Sequence, residues 1–351
     1  MSTQNHQGRV TIVVPVYNRQ EMLQECLESI EKQVYKNIEV LVVDDGSTDK
    51  SVAVAESFAN RDPRFRVISH STNSGSMNRA MHDSILACDS EFFTWIASDD
   101  KYLPVSAISQ FVSQHNQQPK VDFVSCDLKM VQNGDSPNEV CPSCSKPKAQ
   151  VWPVWNGFAS MNYTTQKFEA YTAKSFVAAV YRSLCPPFPA NGMWRTDFFR
   201  RNQLTWIEYE GNTQSADTVN LLQFFSKGMT TRHYNEFPLI QYRLHEGQDT
   251  ARHAVKRQIA GDVSLIQAIF EWFPTEMFLS SEERKVSKEE AYLRRLDELA
   301  AHRSSFHAPS AELSESISDI AAEALLYLWE HRGSIPEESS QAFRERFTKL
   351  L

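Results

Sequence analysis

"IEVLVVDDGSTD", Ile38–Asp49, runs almost unbroken in apolar residues as far as Asp44 and then turns polar at once. A strand that is apolar on both faces is a strand covered on both faces. The pattern recurs on either side, in "RVTIVV" (Arg9–Val14), "FRVISH" (Phe65–His70) and "FFTWIA" (Phe92–Ala97). Between these runs, "EMLQECLESIEKQV" places Leu23, Cys26, Leu27, Ile30 and Val34 at helical spacing, and "SVAVAESFAN" and "SMNRAMHDSILAC" also read as helices. Strands alternating with helices predict an α/β fold built on a parallel sheet with helices on both faces. Ligands of such sheets bind at the carboxyl ends of the strands, which is where Asp44, Asp45, Asp99 and Asp100 fall.

The bulk composition narrows the classes. The 351 residues are 41% hydrophobic and 23% charged, ordinary for a globular protein and long enough for one large domain with an appendage, or two domains. A net charge of −8 argues against a partner bound by phosphate neutralisation, so no nucleic acid is expected. No run approaches the about eighteen apolar residues that a membrane-spanning helix needs. The polar start "MSTQNHQGRV" is not a signal peptide, and a cytoplasmic location is expected, with the six cysteines as thiols.

Three strand ends carry the candidate chemistry. Pro15 is expected to stop the first ladder, and Tyr17 offers a ring for a base to stack on; an ordinary strand-to-helix turn would look the same. In "VVDDGSTD", one of Asp44 and Asp45 could hold the turn while the other accepts from a base or ribose, with Thr48 and Asp49 as caps for the next helix. Neither G-x-G-x-x-G nor G-x-x-x-x-G-K-[ST] is present, which removes the main support for a dinucleotide fold or a Walker-type ATPase. Asp99 and Asp100 are adjacent acids that repel unless a cation meets them; a nucleoside diphosphate with Mn2+ or Mg2+ would suit the set, and a solvated acidic turn is the competing reading.

"VTIVVPVYNR", "IEVLVVDDGSTD", "NSGS" and "WIASDDKYLP", in this order and at these intervals, resemble a family 2 glycosyltransferase of the GT-A fold. The resemblance is dense over Val10–Pro104, thinner over 105–245 and absent beyond. It implies a Rossmann-like, mostly parallel sheet flanked by helices, with an α-helical C-terminal extension. The corresponding domains are a catalytic domain over 1–250, divided into a nucleotide-binding half (1–104) and an acceptor half (105–250), and a helical region over 251–351. The implied reaction is metal-dependent transfer of a hexose from a nucleotide diphosphate sugar, a UDP-sugar being the family's commonest donor, to a hydroxyl acceptor with inversion. Polysaccharide or glycoconjugate assembly is the family's usual setting. A non-catalytic sugar-nucleotide binder and a nucleotidyltransferase are the alternatives.

Carried over by motif, Pro15 and Tyr17 match the nucleotide-contacting turn, and Asp45, with Asp44, matches the acid that holds the base. Gly75 belongs to the nucleotide-binding set. Counting from it places Asn78 and Arg79 over the diphosphate, while counting back from Glu91 selects Met81 and His82; Arg79 is preferred. Asp99 and Asp100 match the D-x-D region, Asp99 at the ribose and Asp100 at the metal, although Ala97-Ser98 stands where a further acid is common. Asp217, opening a helix after "PANGMWRTDFF", matches the catalytic base, with Ala216 where Glu is usual. "LIQYRLHEGQDTAR" resembles the yR-x-H segment, which puts Arg243 at a phosphate and His245 at the metal or diphosphate. A plain helix acid and a structural histidine are the competing readings for Asp217 and His245.

Cys141-Pro-Ser-Cys144 lacks a second C-x-x-C, so loop thiols are expected rather than zinc. The aromatics between Val151 and Tyr171 could line an acceptor cleft or fill a core. From about Ala254 the chain reads as helical, and "SLIQAIFEWF" and "ISDIAAEALLYLWEHR" are amphipathic. Their polar faces are mixed or acidic, which favours packing or self-association, as in a homodimer, over peripheral membrane contact.

Overall fold

In the computed structural model, the described residues are 8–132, 149–152, 172–183, 192–207, 216–234, 236–245 and 255–285. Cys141, Cys144, most of the aromatic segment and the helix expected around "ISDIAAEALLYLWEHR" lie outside them. The chain divides into two compact units. The first takes 1–176, 185–207 and 224–246; the second takes 177–184, 208–223 and 247–351, so the division interleaves rather than falling at a single point near 250.

The first unit opens with β1 (Val10–Val16), α1 (Gln20–Glu31), β2 (Ile38–Asp44), α2 (Ser51–Arg61), β3 (Phe65–Ser69), α3 (Met77–Ala87) and β4 (Phe92–Trp95). This is the alternation expected from the apolar runs. Later strands β6 (Phe123–Cys126), β9 (Met193–Arg195) and β10 (Thr231–Tyr234) complete a seven-stranded sheet ordered β10-β6-β9-β4-β1-β2-β3. Only β9 runs antiparallel to its neighbours. Val10, Ile12, Val14, Val40, Val42 and Phe92 bury one face with Leu23, Leu27 and Ile30 of α1 and Phe111 of α4 (Ala107–Gln117). An aromatic cluster includes Phe93, Trp194 and Phe199 of α6 (Thr196–Asn202) with Phe224 of α7 (Ala216–Ser226).

A second sheet was not expected. Its order is β5-β11-β7-β8, from Lys101–Tyr102, Ile240–Leu244, Leu128–Gln132 and Ala149–Trp152. In "VDFVSCD" (Val121–Asp127), a stretch that reads as one strand, β6 ends at Cys126, and after Asp127 the chain passes into this other sheet. β8 falls within 132–153, whose Gly, Pro and Asn residues without a period read as a long loop.

Two local expectations need correction. Val34 is 55% exposed, because α1 ends at Glu31 and Val34 lies beyond its apolar stripe. Pro15 does not stop the ladder: it pairs with Val43 inside β1. Val13 gives its carbonyl to Ile96 and Val16 gives its carbonyl to Asp45. The alternation turns the missing N–H of Pro15 toward β4, where pairing has already ended.

The second unit contains the end of α5 (Ala173–Ser183), the start of α7 and α8 (Val255–Trp272), where Tyr181 packs against Phe270 and Phe278. Among the described residues no helix is long and apolar enough to cross a membrane.

Candidate active site

The turns after β1 and β2 cap each other's helices. Neither α1 nor α2 has a side-chain bond from its own N-cap residue, Arg19 or Lys50. Instead the backbone N–H groups of Asn18, Arg19 and Gln20 donate to Ser47 Oγ, Ser51 Oγ and Asp49 Oδ2. In return, the N–H groups of Thr48 and Asp49 donate to Asn18 Oδ1, and that of Lys50 donates to Gln20 Oε1. Asn18 holds φ +50 to reach across, a conformation that Asn tolerates better than most residues. Thr48 is thus a donor in this exchange, whereas Asp49, the other cap expected for α2, does accept from Ser51 N through Oδ1. Tyr17, beside the brace, keeps 40% of its surface exposed, as a stacking platform requires.

Asp44 takes one of the roles foreseen for the pair, and Asp45 makes contacts of a different kind. Asp44 is buried, and its carboxylate accepts from the N–H groups of Gly46 and Ser47, so it holds the turn. Gly46 sits at φ +77, and a Cβ there would lie 2.8 Å from backbone atoms of Thr72 and Asn73. That close approach brings the β3–α3 loop against the turn. Asp45 anchors the same loop: Oδ2 accepts from Ser74 N at 2.8 Å and Ser74 Oγ at 2.7 Å, and Oδ1 lies 3.2 Å from His70 Nδ1. His70 and Ser74 were not singled out in the sequence, although Ser74 lies within "NSGS".

Past Ser74, Gly75 takes φ +78 with open space around it, and Ser76 caps α3 by accepting from Asn78 N. Arg79 is exposed. Asn78 points inward at 3% exposure, and neither atom of its side-chain amide has a hydrogen-bond partner among the described residues. His82 is engaged elsewhere, with Nδ1 3.1 Å from Thr205 Oγ1. Of the two countings along this helix, the one from Gly75 gives the inward amide.

Asp99 and Asp100 follow β4 and differ sharply. Asp100 is 2% exposed, and its Oδ1 accepts from Arg243 N at 2.9 Å. Burial, and then the neighbouring Asp99, push its carboxyl well above the usual range. The side chain of Asp99 is 14% exposed, with Oδ2 2.9 Å from His245 Nε2 and 3.9 Å from Arg19 Nε. The strand ends thus do bring His245 to the acid pair, but to Asp99 rather than to Asp100, the acid expected at the metal. Arg243, expected at a phosphate, sends NH2 to Glu25 Oε2 on α1 at 2.9 Å, where Lys101 also binds at 3.1 Å.

These residues fit a divalent cation of the Mn2+ or Mg2+ type in one respect. Such ions at diphosphates take one or two protein ligands and leave the rest of their shell to phosphate and water. Asp99 and His245 supply two, and no cluster of three or more potential ligands occurs among the described residues.

Asp217 belongs to the second unit, in the first turn of α7. Its Oδ1 is buried without a hydrogen-bond partner among the described residues, and desolvation pushes its pKa up to about 6. A carboxylate poised there can hold or release a proton near neutrality.

Comparison with known proteins bears on the whole arrangement. The model of the family described as glycosyl transferase family 2 matches residues 11–175. Glycosyltransferase GlyG of Streptococcus pneumoniae is 43% identical over 91 residues, 26% of this chain and 30% of that protein. The putative glycosyltransferase EpsH of Bacillus subtilis is 26% identical over 250 residues, 70% of this chain and 64% of that one. The matches therefore span less than two thirds of either relative. S. aureus TarS 1-349, solved in complex with UDP-GlcNAc, shares the fold with a TM-score of 0.53 at 16% identity, covering 97% of this chain and 92% of that one. A mainly parallel seven-stranded sheet accompanies these matches: residues 11–175 are similar to glycosyl transferase family 2, and the chain takes a GT-A fold.

Proposed function

We propose that the protein transfers a sugar from a nucleoside diphosphate sugar to a hydroxyl acceptor with inversion. The observation that carries this reading is that Asp45 and Asp99 stand just past the carboxyl ends of β2 and β4, the two strands that flank β1 in parallel, and that His245, just after β11, meets Asp99. Tyr17 stacks on the base, and Asp45, fixed by Ser74 and His70, accepts a hydrogen bond from it. Gly75, with the exposed Arg79 at the start of α3, faces the diphosphate, while the buried amide of Asn78 has no hydrogen-bond partner among the described residues.

Asp99 and His245 would hold the Mn2+ or Mg2+, with the buried Asp100 next to Asp99 tied to Arg243 N. When bound, the cation neutralises the charge that builds on the departing diphosphate. Asp217 takes the acceptor's proton as its oxygen attacks the anomeric carbon; a pKa of about 6 leaves it mostly ionised at neutral pH. UDP is the first nucleotide to try, since TarS binds a UDP-sugar on this fold. Polysaccharide or glycoconjugate assembly in the cytoplasm is the setting proposed.

Calorimetric titration of UDP, GDP and CDP, with and without Mn2+, tests the reading. Binding of one nucleotide that strengthens with Mn2+ and weakens in Asp99→Ala is expected. A folded sample that binds none would overturn it. A nucleotidyltransferase would release pyrophosphate from a nucleoside triphosphate and a sugar phosphate, and a non-catalytic binder would turn over no donor.

A further inference from the structure

Away from the acid pair, three buried polar side chains form a line that the proposed reaction does not use. Ser125 and His233 are register partners on the parallel strands β6 and β10, and Ser125 Oγ lies 2.8 Å from His233 Nδ1. His233 Nε2 lies 2.8 Å from Asp127 Oδ1. The three are 0%, 6% and 6% exposed. A neutral imidazole satisfies both contacts when Nε2–H donates to Asp127 and Nδ1 accepts from the Ser125 hydroxyl.

The same residue types make a hydrolytic triad, but this line is not one. In such triads the histidine turns Nε2 to the serine and Nδ1 to the aspartate. Here the ring is reversed, and a fully buried Ser125 cannot meet a substrate. The line runs the other way, from a buried serine outward to an aspartate.

Asp127 is fixed on all sides. Its N–H donates to Tyr234 O, and its carbonyl accepts from Leu239 N. Oδ1 is taken by His233, and no other donor among the described residues reaches the carboxylate, while the side chain keeps 8% of its accessibility. It stands at the carboxyl end of a parallel strand, the end at which ligands of such sheets bind. A rigid carboxylate with one oxygen unmet, in so confined a place, calls for a donor from outside.

We propose that Asp127 is a hydroxyl-binding carboxylate on the acceptor side, taking a sugar hydroxyl of the acceptor, with His233 and Ser125 as its positioning residues. This rests on the reading of residues 105–250 as the acceptor half of a glycosyltransferase. Asp127→Asn suits the test, because the amide oxygen can keep the bond from His233 while the open oxygen becomes an NH2 donor.

The experiment is a saturation-transfer NMR titration of methyl glycosides of the common hexoses into the protein saturated with whichever of UDP, GDP or CDP it binds. Nucleotide affinity is measured in parallel by calorimetry. The wild type is expected to bind at least one glycoside. Asp127→Asn should weaken that binding about tenfold or more, with nucleotide affinity unchanged. His233→Ala should weaken it as well, and His233→Gln, whose amide can donate in place of Nε2–H, should restore part of it at equal thermal stability. A wild type that binds no glycoside, glycoside binding unchanged in Asp127→Asn, or equal losses of glycoside and nucleotide would each overturn the proposal. Failure of the transferase reading shows separately, as a wild type that binds no nucleotide.

Discussion

The proposed donor side and the proposed acceptor side of the first unit are built on different plans. On the donor side, three consecutive strand-to-helix turns are stitched to one another by hydrogen bonds between residues about thirty apart in sequence, such as Thr48 to Asn18 and Ser74 to Asp45. On the acceptor side, the polar groups that meet are about a hundred residues apart, as in Ser125 with His233 and Asp122 with Thr230. A diphosphate and a base are constant demands that short local motifs can answer. An acceptor would be a variable demand, met under this proposal by pairing distant strands.

The largest effect that would sharpen this contrast is chemical. Asp217→Asn should cut donor turnover by about 10²–10⁴-fold, leaving nucleotide affinity nearly unchanged. In the wild type, turnover should rise with pH through about 6, as Asp217 ionises, and level off above it. A pH profile flat across that range would remove Asp217 from the role of base.

Next comes the shared core between the two sides. His115 on α4 is buried, with its pKa lowered to about 4 by desolvation. The unfolded chain then binds a proton that the folded chain refuses between about pH 6.5 and 4, so stability falls as pH falls through that window, by about 3 kcal/mol in all. Denaturant unfolding measured across that range checks it, and His115→Gln should flatten the dependence.

A smaller effect would break the stitching. Gly46→Ala forces a Cβ against the backbone of Thr72 and Asn73 at a positive φ. It should cost about 2 kcal/mol in denaturant unfolding and weaken nucleotide binding, because the loop bearing Ser74 must shift. The smallest is Asp45→Asn, expected to lower nucleotide affinity about tenfold without changing Mn2+ enhancement. If both changes left nucleotide binding untouched, the donor side would not be where it is placed here.

How much of this could be read from sequence follows the same divide. The strands ending at Asp44 and at Trp95 are announced by apolar runs and by the acids that stop them, so the parallel sheet and the donor-side turns were legible. Pro15 misled, because the ladder partner that its missing N–H would have needed had already gone, which depends on the length of β4. The second sheet was hidden, since strands of two to five residues, such as Lys101–Tyr102 and Ala149–Trp152, carry no usable period. His245 could be guessed only by resemblance; that it meets Asp99 rather than Asp100 depends on Arg243 N occupying the latter. Nothing local links Ser125 to His233.

The mutual capping of α1 and α2 also bears on motion. Because each helix start borrows its bonds from the other's turn, neither can fray by itself: opening one strips donors or acceptors from its neighbour. The amides of residues 18–20 and 48–50 should therefore exchange with solvent as one cooperative unit rather than as two ordinary helix ends. The wall proposed to receive the base would then have essentially two conditions, assembled or open, and a bound nucleotide would slow exchange at all six positions together.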